Sequence, residues 1–103
     1  MKERVEKALN EQIKKEGQSS QLYLAMAAWA EIEGLEGISN FMYKQSDEER
    51  FHMLKLVKFV NERGGKAIIP GFETPPSGFD SVLNVFEEFL NQYFNPNTSK
   101  NGT

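Results

Sequence analysis

The sequence predicts an all-α fold: a long antiparallel helical hairpin, an extended connection and a shorter third helix. Three observations predict it. Apolar residues recur at steps of three, four and seven along two long stretches, the spacing of a single helical face. A short break, "EGLEG" ending at Gly37, separates those stretches and suits an antiparallel turn. Three of the four prolines gather in "AIIPGFETPPSG", where a helix cannot persist.

The first helix is expected over Lys2 to Ile32, with Val5, Leu9, Ile13, Ser20, Tyr23, Ala27 and Ala30 on its inner face. Gly17 is its weak point, costing about 1 kcal/mol against alanine in an exposed helix. A second helix is expected over Ile38 to Glu62, with an inner stripe of Ile38, Phe41, Met42, Gln45, Glu49, His52, Leu56 and Phe59. "RGGK" ends it, since Gly64 or Gly65 can take the left-handed backbone at a helix C-terminus. The third helix should run from Phe79 to Tyr93, with Ser77 as N-cap and Phe79, Val82, Leu83, Phe86, Phe89, Leu90 and Tyr93 on one face. Residues 1–94 read as one helical domain. Residues 95–103, with little to bury, read as a disordered tail.

Composition narrows the function classes. The chain has 103 residues, a formal net charge of −3 and no basic stripe, which argues against nucleic acid. No cysteine is present, so disulfides, thiolate zinc sites and cysteine nucleophiles are excluded. The longest apolar run, Leu22 to Ala30, falls far short of a membrane span. The N-terminus carries no apolar secretion signal, so a soluble cytoplasmic protein is expected, and the glycosylation-like triplets at Asn97 and Asn101 carry little meaning. One histidine already placed on a helix face leaves no basis for a Ser/His/Asp triad.

That histidine carries the chemistry. Glu49 and His52 are three apart, so their Cβ atoms lie about 5–6 Å apart on one helix face. Alone, such a pair reads as a hydrogen-bonded core histidine. Glu16 changes the balance, because it too interrupts an apolar stripe. If the turn centres near residue 35, antiparallel neighbours have numbers that sum to about 70, which puts Glu16 within a helical turn of Glu49 and His52. Two buried carboxylates at one level repel each other and lose hydration. A cation resolves the conflict, and carboxylates with an imidazole suit iron, manganese or zinc. One Glu plus one Glu-x-x-His is half of a di-metal carboxylate site, and two hairpins related by a twofold axis would supply the whole.

"LNEQIKKEGQSSQLYLAMAAWAE" followed by "SDEERFHMLKLVKFVNERGG" strongly resembles the first two helices of bacterial non-haem ferritin, and the likeness covers about residues 1 to 90. The resemblance implies Fe(II) binding, its oxidation by oxygen or peroxide, and storage of the mineral in a hollow multi-subunit shell. It places the family's ligands on Glu16, Glu49 and His52, its tyrosine beside the site on Tyr23, and an auxiliary acid on Glu48. Gln45 is a candidate neighbour of the ligands. The chain also departs from the pattern. A ferritin subunit has four long helices, and this chain is expected to stop within the third. The family's "HE" pair aligns with Gln92 and Tyr93, and the fourth helix's acids and glutamine have no counterpart.

The expected assembly is a homodimer, or a larger homo-oligomer, in which two hairpins form a four-helix bundle with the third helix packed against it. Iron at a di-iron site is the expected cofactor, with zinc or manganese as substitutes. Three functions follow: Fe(II) oxidation feeding storage, a truncated ferritin fragment acting only as an oligomerisation module, or a short two-helix relative working inside a larger compartment.

Overall fold

The computed structural model describes residues 1–94; the tail expected at residues 95–103 lies outside them. Three helices form, α1 (Glu3–Ile32), α2 (Glu36–Glu62) and α3 (Val82–Phe94), with no strand among the described residues. Both long helices end in left-handed glycines, Gly34 at φ 78° and Gly64 at φ 84°. At the first, the Leu35 N–H donates to Ala30 O at 2.9 Å and the Gly34 N–H to Glu31 O at 3.1 Å. Gly65 N–H reaches Val60 O at 2.9 Å in the same way. These bonds satisfy carbonyls that the helix end would otherwise orphan.

Small residues hold the hairpin together. Ser20 Oγ donates to Ser46 O at 2.8 Å, Ser46 Oγ returns a bond to Ser20 O at 2.8 Å, and Ser39 Oγ donates to Ala27 O at 3.0 Å. Both pairs, 20 with 46 and 27 with 39, centre on residue 33, two residues earlier than the sequence reading placed the turn. Position 16 therefore lies level with position 50, between Glu49 and His52 along α2.

The connection from Arg63 to Ser81 returns along α1. Lys66 N–H donates to Glu6 Oε2 at 2.6 Å, Ile68 N–H to Asn10 Oδ1 at 2.7 Å, and Glu73 N–H to Gln18 Oε1 at 2.9 Å. Phe72 lands against Gly17, where a Cβ would collide with its ring and with Met53 Sδ. Gly17 is thus a socket for the returning chain, and not simply a weak point in the helix.

α3 starts at Val82, later than expected, and its cap is Ser81 in place of Ser77. Ser81 Oγ accepts the Asn84 N–H at 3.0 Å, and Asn84 Oδ1 accepts the Asp80 N–H at 3.2 Å. Ser77 lies in the preceding extended segment, too early to reach the first turn. The core gathers Leu22, Tyr23, Met26, Ala27, Met42, Val85 and Phe89, with Trp29, Ile38, Phe79 and Phe86 against it. Each large side chain buried there contributes roughly 1.5–3 kcal/mol. Phe89 is the wedge between hairpin and α3, its ring centroid 4.9 Å from Tyr23 and 5.5 Å from Phe41.

The inner faces differ in detail from the expected stripes. α2 buries Ser39, Met42, Ser46 and Val60, whereas Phe41 and Phe59 remain about two-fifths exposed. α3 buries Val85, Phe89 and Gln92, leaving Leu83 67% and Leu90 49% exposed. One helix cannot cover an apolar circumference on both sides, so the second half of that surface faces outward.

Candidate metal centre

Glu16 reaches the centre from the middle of α1, and Glu49 and His52 from successive turns of α2. One ligand atom from each lies within 4.8 Å of the others. His52 Nδ1 stands 3.5 Å from Glu16 Oε1 and 3.6 Å from Glu49 Oε1. The two carboxylates are largely covered, at 19% and 14% side-chain exposure, while His52 is 54% exposed and forms the outer wall. Gln12, one turn before Glu16, donates from Nε2 to Glu16 Oε2 at 2.7 Å and fixes that carboxylate's orientation.

The electrostatics follow from this crowding. Burial pushes Glu49 up to about 8, helped by its hydrogen bond to Glu16 and by the charges of Glu16 and Glu48. Burial also opposes ionisation of Glu16, but hydrogen bonds from Glu49 and Gln12 and the nearby His52 outweigh it and lower its pKa. The opposite shifts favour the proton on Glu49 and the charge on Glu16. Two carboxylate oxygens with one imidazole nitrogen match the donor preferences of iron, manganese and zinc.

A depression of about 330 Å³ opens over the three residues, lined also by Gln12, Lys15, Ser19, Tyr23, Gln92 and Tyr93. At about 30 Å³ per water this is room for an ion with several waters. Tyr23 is wholly buried, and its phenol is raised well above the ordinary range by burial, then by the charges of Glu49 and Tyr93, with the Ser19 hydroxyl in partial opposition. Gln92 Nε2 donates to Ser19 Oγ at 2.7 Å, a bond that ties α3 to α1.

The structure brings together Glu16, Glu49, His52 and Tyr23 as the sequence reading expected. Glu48 is exposed and acts on Glu49 only through its charge, and Gln45 does not line the depression. Gln12, Lys15 and Ser19 were missed. Gln12 carries a usable signal, lying four residues before Glu16 on the same helix face. Lys15 has none, since a lysine beside a polar stripe reads as solvated surface.

The family model described as a ferritin-like domain matches residues 6–99. The chain is 40% identical over 85 residues to a bacterial non-heme ferritin of Staphylococcus epidermidis, a match covering 82% of this chain and 51% of the relative. A bacterial non-heme ferritin of Staphylococcus aureus is 39% identical over the same shares. The open-pore ferritin of the hyperthermophilic archaeon Archaeoglobus fulgidus superposes with a TM-score of 0.88 at 42% identity, over 92% of this chain and 59% of that one. This chain thus spans about half the length of the curated relatives it matches. With a family model over most of its length and a shared backbone at this identity, the chain belongs to the ferritin family.

Proposed function

We propose that this chain binds Fe(II) through Glu16, Glu49 and His52 and oxidises it, feeding iron storage. One observation carries the reading: two carboxylates and an imidazole from adjacent helices converge, with one ligand atom of each within 4.8 Å of the others. Iron is substrate in this scheme. An arriving Fe(II) displaces the proton from Glu49, gains two anionic oxygens and a neutral nitrogen, and gives up an electron to an oxygen or peroxide oxidant. Anionic donors favour the ferric product over the ferrous reactant, which supplies driving force. The depression admits the small oxidant, while Gln12 holds Glu16 in place as the charge at the centre changes.

A second ion needs donors beyond these three. We take them to come from a second copy, in a homodimer that contributes its own ligand set, with larger homo-oligomers built from such pairs. Zinc and manganese should bind the same donors without turnover. The soluble cytoplasmic setting expected from the sequence supplies both Fe(II) and a reducing milieu. A different reading, an oligomerisation module without turnover, is favoured by α3, which brings no carboxylate to the depression.

The deciding test is the initial rate of aerobic Fe(II) oxidation in the wild type and in Glu49→Ala. Turnover at the proposed centre gives a fast phase saturating at about two irons per dimer and lost in the variant. Equal rates in both proteins, no faster than buffer, would establish the non-catalytic module instead.

A further inference from the structure

We propose that Tyr93 is a ferric ligand, its phenolate oxygen binding Fe(III) in the depression formed by Glu16, Glu49 and His52 and retaining the oxidised ion there. The inference rests on the reading of that depression as an iron site, and it makes Tyr93, which stands where the family's "HE" pair aligns, a donor of different chemistry.

Tyr93 sits in the last turn of α3 and lines the same depression as the three candidate ligands. Its ring is held on both sides. It stacks on Phe89 with centroids 5.5 Å apart and planes at 29°, and meets the edge of Phe94 at 5.1 Å and 81°. Phe89 is itself wedged against Tyr23 and Phe41, so the stack ties the Tyr93 ring to the core. Yet Tyr93 is 49% exposed, and none of the hydrogen bonds described for the chain engages its hydroxyl.

The other groups near it are less suited to the role. Gln92 offers only a neutral amide oxygen, a weaker donor to a ferric ion than a phenolate, and Tyr23 is wholly buried, so a phenolate there would have to lose its hydration. Tyr93 alone offers the depression a phenol that is positioned, accessible to solvent and free of a competing partner.

The chemistry balances simply. The Tyr93 O–H bond breaks, an O–Fe(III) bond forms, and the proton leaves to solvent through the exposed side; no electron moves in this step. A phenolate is a hard anionic oxygen donor, preferred by the ferric over the ferrous ion, so it acts after oxidation and slows release.

The experiment supplies Fe(III) preformed, as its nitrilotriacetate complex, and reads the visible phenolate-to-iron charge-transfer band together with resonance Raman phenolate modes. The band should appear in the wild type and in Tyr23→Phe, and vanish in Tyr93→Phe and in Glu49→Gln. Fe(III) affinity should fall about ten- to hundredfold in Tyr93→Phe, while Zn(II) affinity stays level. The phenylalanine variant keeps the aromatic stack, so a merely structural role predicts equal losses for both metals. A band that survives Tyr93→Phe, Fe(III) bound without a band, or no Fe(III) bound at all would each overturn the assignment. Because no oxidation is required, a band without Fe(II) turnover sinks the ferroxidase reading alone, and turnover without a band sinks this one alone.

Discussion

Glu49 keeps a proton at a pH where a carboxyl group has ordinarily lost it, and two consequences follow in opposite directions. Without metal, its folded-state pKa of about 8 lies above the value of 4.5 expected in the unfolded chain. The folded protein then binds more protons than the unfolded one, so this contribution to stability is complete below about 4.5 and is lost as pH rises towards 8. Glu16, shifted down, works the other way, its contribution being lost as pH falls through its own folded value. Thermal melts of the metal-free protein should therefore decline between pH 5 and 8.5, and Glu49→Gln should flatten that decline. With metal the sign reverses, because the ion must displace the proton. Zn(II) affinity should rise with pH until about 8, with proton release seen by calorimetry in buffers of different ionisation enthalpy and vanishing above that pH. The sequence made this triad legible because each member breaks an apolar stripe. It did not reveal that Ser19 and Tyr93 line one depression, which depends on where α3 docks.

At the scale of elements, the long helices were readable from periodicity and their ends from glycine, whereas the packing between them was not. Serines 20, 39 and 46 make the buried hydrogen bonds across the hairpin, yet in the sequence a serine on an inner stripe looks like a gap. Gly17 makes the same point. Helix propensity alone predicts that Gly17→Ala gains about 1 kcal/mol. The structure predicts the opposite, a loss of about 1–3 kcal/mol, because the added methyl enters the space of Phe72 and Met53. Denaturant melts decide between them, and Phe72→Leu should restore part of the loss in the double variant. The third helix was placed too early because the phenylalanine at 79 looked like the start of its stripe, although that ring packs on Trp29 from the preceding segment. Ser81→Ala should cost about 1 kcal/mol through the lost cap. Hydrogen exchange should show the effect concentrated in residues 82–94, leaving the hairpin amides nearly unchanged.

At the scale of the whole molecule, the described residues leave large apolar side chains uncovered on one side of α3. The exposed residues identify a face: Leu83 at 67%, Leu90 at 49% and Phe94 at 69% lie on the side of α3 turned away from the hairpin core. In the homodimer proposed above, these side chains are the ones a second chain would cover. Sedimentation should thus show a dimer or larger assembly, with a melting temperature that rises with protein concentration. Leu83→Lys with Leu90→Lys should shift the protein towards monomer. The same variant separates the two ion positions. Glu16, Glu49 and His52 belong to a single chain, so one ion per chain should still bind, while the fast oxidation phase that needs two adjacent ions should be lost. A fast phase that survives in a strictly monomeric protein would rule out a centre shared between chains.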